Sequence, residues 1–266
     1  MIPALDAQTT SEAEVVSSTS GQWRLSIPGG PSGRYRLAQL DDYSSLPRSR
    51  FHWRPPVCLD VRARVSEAEL PGTWGFGLWN DPFTASLGLA GTARRVPALP
   101  QAAWFFYASP PNHLALHDTH PAQGLLAATF ASRHIPALAL LAGLPALPLL
   151  AWPPAARWLR RMARRFVAED ALRLDFDPTQ WHTYRLEWRA DEVNFTVDGE
   201  PCFSTPVTPR GPLGLVLWID NQYAAFPPDG RLRFGTLANE SACLELADIA
   251  IEQTSRNDVP FREACC

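Results

Sequence analysis

The chain has 266 residues, 46% of them hydrophobic and 19% charged, with a formal net charge of -3. That length and apolar content suffice for one large core, and the slightly acidic balance gives no reason to expect nucleic acid as a partner. Every cationic side chain is Arg and none is Lys, which excludes Schiff-base chemistry and a lysine general base.

Residues 1–20 are rich in Ser, Thr, Glu and Ala, the composition of a disordered arm. They lack the basic and apolar regions of a secretory signal. The expectation is therefore a cytoplasmic protein whose five cysteines are reduced. Cys58, Cys202, Cys243, Cys265 and Cys266 form no CxxC pair, so a zinc site is not expected.

From Trp23 onward, short alternating runs are separated by turn residues. Trp23-Arg24-Leu25-Ser26-Ile27 runs into Pro28-Gly29-Gly30, a strong turn signal. Residues 35–40 follow as a strand, then 57–65, with Val57, Leu59, Val61, Ala63 and Val65 on one face. Residues 74–79 and 103–108 are apolar on both faces, the pattern of buried strands. Residues 113–116 and 125–130 are predicted to pair as a hairpin. In the second half, residues 172–176, 182–188 and 193–197 alternate cleanly, with Asp198-Gly199 as a turn, before the apolar strand 213–219 and a closing strand 243–251. The pattern predicts one all-β, two-layer antiparallel sandwich over residues 21–256, with a tail at 257–266. The 26 prolines also weigh against a helical protein, since an interior Pro costs a helix about 3 kcal/mol.

Residues 131–171 interrupt this pattern. The 22 residues 135–156 carry no charge, long enough to span a membrane. Pro136, Pro145, Pro148, Pro153 and Pro154 break any regular spanning helix, and a re-entrant or interfacial segment fits better. Residues 155–166 then read as an amphipathic helix. Ala155, Trp158, Leu159, Met162, Ala163 and Phe166 fall on one side, and Arg157, Arg160, Arg161, Arg164 and Arg165 on the other. That composition fits a membrane interface, reached through residues 135–166. It equally fits a helix packed on the sandwich with its Arg face in water, or a lid over a ligand. Peripheral attachment to the inner membrane face accompanies the cytoplasmic expectation.

Trp181-His182-Thr183-Tyr184-Arg185-Leu186-Glu187-Trp188, followed by Val193-Asn194-Phe195-Thr196-Val197-Asp198-Gly199, resembles a late-sheet hairpin of glycoside hydrolase family 16 and its concanavalin-A-like relatives. Residues 71–79 resemble that family's GxWPAxWL strand. The resemblance implies a concanavalin-A-like jelly roll with a concave ligand cleft. It also implies a Glu-x-Asp-x-(x)-Glu run on the following strand, where one carboxylate attacks the sugar and another protonates the leaving group. The corresponding residues 102–108 read Ala-Ala-Trp-Phe-Phe-Tyr-Ala, and no such acidic run occurs anywhere in the chain. A retaining glucanase of the usual type is not expected.

Other polar groups could serve the cleft. Asp42, Asp81 and Asp220 end or follow strands and, with Tyr107, are the candidate acid–base residues. The same Asp residues could simply cap strands and form turns. Trp74, Trp79, Trp104, Phe106, Asn221 and Tyr223 are the candidate ligand contacts, against the alternative that such aromatics fill the core. His113, His117, Asp118 and His120 invite a metal, but on a strand His113 and His117 would stand roughly 13 Å apart, and neither metal nor cofactor is expected. The leading expectation is a jelly roll that binds a hydrophobic or lipid-linked small molecule in an aromatic cleft, with cofactor-free acid–base chemistry (cyclisation, isomerisation or lyase) if it is an enzyme. The alternatives are a lectin-like carbohydrate binder and a divergent family 16-like hydrolase with relocated carboxylates.

Overall fold

The computed structural model describes residues 4–10, 12–18, 21–82 and 95–253. Sixteen strands follow in chain order: β1 (Asp6–Thr9), β2 (Glu14–Ser17), β3 (Trp23–Ile27), β4 (Leu37–Asp41), β5 (Val57–Val65), β6 (Thr73–Trp79), β7 (Ala102–Ala108), β8 (Gly124–Ser132), β9 (Val167–Arg173), β10 (His182–Trp188), β11 (Val193–Val197), β12 (Glu200–Thr205), β13 (Gly214–Asp220), β14 (Gln222–Ala225), β15 (Arg233–Thr236) and β16 (Ala242–Gln253). Between β8 and β9 lie α1 (Ala137–Gly143), a 3-10 stretch (Leu144–Ala151) and α2 (Pro153–Ala163).

Two seven-stranded antiparallel sheets stack on each other. One has the order β1-β4-β13-β6-β7-β8-β9 and the other β12-β11-β10-β5-β16-β3-β2. This is the jelly-roll sandwich that the alternation predicted. On β5, Val57, Leu59, Val61, Ala63 and Val65 all point into the core, and on β10 so do Tyr184, Leu186 and Trp188. β10 and β11 are neighbours, with Tyr184 opposite Val197 and Trp188 opposite Val193. The Asp198-Gly199 turn takes positive φ at both residues, 52° and 82°. Asp198 secures it by accepting from the Thr183 N–H at 2.8 Å.

Three expectations are corrected. Residues 1–20 do not form a disordered arm where they are described: β1 pairs with β4 and β2 with β3. Edge strands satisfy their backbone on one side and need few apolar side chains, so a polar composition conceals them. Residues 113–116 do not pair with 125–130; β8 lies between β7 and β9, and His113 makes one isolated bridge to Ala225. The Arg residues of the insertion do not share one solvated face, because Arg160 is buried. No helix among the described residues is long and apolar enough to cross a membrane. The proposed tail, including Cys265 and Cys266, lies outside the described residues.

Candidate functional site

The outer face of the first sheet carries a second apolar cluster, separate from the core between the sheets. Period-two alternation sorts the side chains. Gly214, Val216, Trp218 and Asp220 of β13 face outward, as do Thr73, Gly75, Gly77 and Trp79 of β6. On β7 the outward residues are Ala102, Trp104, Phe106 and Ala108. Register sets Trp218 opposite Gly75 and Gly75 opposite Phe106, so an aromatic meets an aromatic across a strand with no side chain between them. A Cβ on Gly75 would stand 2.9 Å from Trp218, and one on Gly77, at φ +155°, 2.5 Å from Trp104 Cβ. These glycines let the rings converge. Trp104 stacks on Phe106 at 5.4 Å and meets Trp218 at 5.6 Å and Trp79 at 5.9 Å.

Residues 113–122 roof half of this face. Leu114, Ala115, His120 and Pro121 close over Trp104, Phe106, Leu126 and Phe130, with Glu169 and Asp170 at the rim, leaving a cavity of about 30 Å³, room for about one water molecule. The roof is held from both sides. Glu169 of β9 accepts the N–H groups of Leu116 (3.0 Å) and His117. From α2, Arg160 donates to the Ala115 carbonyl (2.7 Å), the Phe226 carbonyl and Asp118 (2.7 Å), and Arg164 donates to the Leu116 carbonyl at 2.6 Å. Those two guanidinium groups hold the Asp118 carboxyl down at about 2. The other half is less covered among the described residues: Tyr35, Gln39, Trp79 and Trp104 are partly exposed, while Val216 and Trp218 between them are buried. There Trp79 Nε1 donates to Tyr43 Oη at 2.7 Å, and Gln39 Nε2 donates to Asp41 at 2.9 Å.

The structure distributes the sequence candidates as follows. Trp79, Trp104 and Phe106 share the aromatic face. Trp74 and Tyr107 do not: they sit on the opposite parity of β6 and β7, stacked at 5.8 Å within the core between the sheets. Burial raises the Tyr107 hydroxyl above its ordinary value. Asp42 also points away from the cleft, accepting from Trp53 Nε1 at 2.5 Å and the Leu215 N–H at 2.8 Å. Burial lifts its carboxyl to about 6 against those two donors. Asp81 is ion-paired with Arg95, which also clamps the carbonyls of Tyr43 and Leu46; burial raises it and Arg95 opposes the rise. Asn221 is fully engaged with backbone, accepting from Arg36 N–H and donating to the Arg34 and Leu237 carbonyls. Tyr223 lies on the separate β14–β15 ribbon.

Asp220 ends β13 at one rim of the face. Its Oδ1 accepts from Thr73 Oγ1 (2.8 Å), the Thr73 N–H (3.3 Å) and the Gln222 N–H (3.2 Å), and its Oδ2 accepts from Tyr35 Oη at 3.4 Å. Burial raises the carboxyl to about 7, the donors pulling the other way. Trp218, Phe130 and Glu169 were missed in the sequence. Trp218 was within reach, because it shares the parity of Asp220 on one strand. Among the described residues, no cluster of three or more His, Cys, Asp or Glu side chains could hold a metal.

A profile for "Glycosyl hydrolases family 16" matches residues 161–209. The kappa-carrageenase of Zobellia galactanivorans shares the fold at 10% identity, covering 91% of this chain and 81% of that one, with a TM-score of 0.50. A Bacillus licheniformis beta-glucanase (9% identity, 94% and 92% covered, TM-score 0.48) and an endo-beta-1,4-glucuronan lyase from the fungus Trichoderma reesei (11%, 94% and 90%, 0.48) are also similar. At 10% identity the likeness to the carrageenase concerns the fold alone, a concanavalin-A-like, family 16-like jelly roll. No curated protein matches the chain.

Proposed function

We propose that this jelly roll binds carbohydrate on its open aromatic face and does not cleave it. The observation that supports this is the furnishing of β7, whose cleft-facing positions hold Ala102, Trp104, Phe106 and Ala108. Glycoside hydrolysis needs two carboxyl groups roughly 5–9.5 Å apart. Asp41 lies opposite Val216, four positions along β13 from Asp220, which is roughly 13 Å at about 3.3 Å per residue. Glu169 is four strands from Asp220, or roughly 19 Å at about 4.8 Å per strand. Each of these carboxylates also accepts from backbone N–H groups. What remains is a platform of rings flanked by the Gln39 amide and the Tyr35 hydroxyl. Flat π faces take the C–H face of a sugar ring, and the polar flank takes its hydroxyls.

Calorimetric titration with oligosaccharides of laminarin, lichenan and kappa-carrageenan tests the proposal. At least one glycan should bind, Trp104→Ala should weaken it at least about tenfold, and no reducing ends should be released. Absence of binding to all three, or reducing ends above a no-enzyme blank, would overturn it.

A second reading rests on the roofed half. Its lining of Leu114, Leu126 and Phe130 suits an oily molecule rather than a sugar. A cofactor-free cyclase, isomerase or lyase would draw on Asp220 and Tyr35, which are hydrogen-bonded to each other at the β13 end of the face, outside the roofed half. Mass spectrometry of the copurifying ligand separates the two readings.

A further inference from the structure

The anchoring of α2 has an unusual consequence at the surface. Ala156 and Arg160 are buried against the sandwich, with the Arg160 and Arg164 guanidinium groups spent on the roof. The helix is thereby turned so that Trp158 and Leu159 face solvent, 56% and 39% exposed, beside Trp152 at 62% and Leu149 at 57%. At 100° per residue, Arg161 and Arg165 flank Trp158 on that outward side, and Arg157 lies next to them. All three arginines are exposed.

A second segment of the same composition lies alongside. Gly230 packs against the first turn of α2, so closely that a Cβ there would stand 2.5 Å from the Pro153 carbonyl oxygen and 2.8 Å from Arg157 Cγ. The next four residues, Arg231, Leu232, Arg233 and Phe234, are all exposed. Two stretches some 70 positions apart in sequence thus present bare Trp, Leu and Phe interleaved with Arg on adjoining surface. No Asp or Glu occurs between Asp118 and Glu169; the nearby Asp229 accepts the Arg231 N–H at 2.9 Å.

We propose that this face docks on an anionic phospholipid surface, with Leu149, Trp152, Trp158, Leu159, Leu232 and Phe234 entering the interface and the arginines meeting headgroup phosphates. The occupant follows from the mixture. Arg alone would suit an acidic polysaccharide, but the leucines offer a glycan nothing, whereas they partition into the acyl boundary. Trp belongs at the headgroup level, and Arg extends its apolar stem beside it while the charged end stays wet. The absence of a spanning helix among the described residues makes the contact peripheral.

Vesicle flotation of the intact protein tests this, with phosphatidylcholine alone and phosphatidylcholine mixed with phosphatidylglycerol. The protein should float with the mixed vesicles, less so as salt rises. The combined Arg157→Gln, Arg161→Gln and Arg165→Gln variant should bind roughly a hundredfold more weakly. Trp152→Ser with Trp158→Ser should lose at least about tenfold. All five side chains are exposed, so both variants should keep the wild-type thermal midpoint, and Arg160 is retained in each. The proposal fails if the intact protein ignores the mixed vesicles, or if neither variant weakens binding. It also fails if the protein is a dimer in solution that Trp158→Ser dissociates, which would make the face a self-interface. Binding to kappa-carrageenan through these arginines without any to vesicles would overturn it in favour of an acidic glycan.

Discussion

Replacing Asp220 with Asn separates the two things its carboxylate does: hold a hydrogen-bond network and carry a charge. In the folded protein burial lifts the group from its ordinary 3.8 to about 7. Between those values the native state keeps a proton that the unfolded chain has released, so stability falls as pH rises. The contribution is intact below the unfolded value and lost as pH passes through the folded one. A rise of that size corresponds to about 4 kcal/mol at most. Asn preserves the shape. Its Oδ1 can still accept from Thr73 and Gln222, while its Nδ2 donates to Tyr35 Oη, reversing that one bond. Urea unfolding of both proteins from about pH 4 to pH 8 reads the difference directly. The curves should converge at the acid end and separate above it, with Asp220→Asn more stable by about 1–4 kcal/mol at the alkaline end. Asp42, lifted to about 6 by burial, adds slope of the same sign to both proteins and cancels in the comparison. A variant less stable across the whole range, or an advantage that shrinks as pH rises, refutes this account of the rim.

Arg160→Ala should cost about 1–3 kcal/mol in urea unfolding, because the Ala115 and Phe226 carbonyls lose their donor; amide exchange at Leu116 and His117 should quicken as the roof loosens. Gly77→Ala should destabilise by about 3 kcal/mol, since its Cβ would meet the Ala103 carbonyl oxygen and Trp104 Cβ, both at 2.5 Å, from a left-handed φ. Near-ultraviolet circular dichroism should also change in that variant as Trp104 is displaced.

The sandwich was legible wherever one strand face is buried and the other wet. β5 and β10 alternate because their second faces meet water, and that alternation fixes parity. β6 and β7 are apolar on both faces, since the cleft cluster lies on one side and the core on the other. Composition there gives no parity, which is how Trp74 and Tyr107, bound for the core, looked equivalent to Trp104 and Phe106. The parity was nevertheless recoverable from Gly75 and Gly77. Two glycines at alternate positions mark the face on which neighbouring rings cross the strand, and Trp79 lies on their side while Trp74 does not. The lack of carboxylates on β7 could be read from sequence. That Asp41, Asp220 and Glu169 are too far apart to replace them depends on strand order, which is a property of the fold.

The helix of the insertion shows a different limit. Helical periodicity places Trp158, Leu159 and Met162 together, and the hydrophobic effect alone would turn them inward. What turns Trp158 and Leu159 outward is a set of acceptors supplied from elsewhere: the Ala115 and Phe226 carbonyls and the Asp118 carboxylate. Buried carbonyls without donors are costly, and Arg160, flanked by the small Ala156 and Ala163, reaches all three from the packed side of the helix. The same contact fixes the roof over half of the aromatic face. One buried arginine therefore links two surfaces that the sequence presents as unrelated. It exposes the Trp and Leu side chains of α2 and, on the other side, leaves Trp79, Trp104, Gln39 and Tyr35 as the partly exposed residues of the aromatic face. Any ligand that needs the roofed half must displace residues 113–122, and with them the hydrogen bonds from Arg160 that set the outward face of α2.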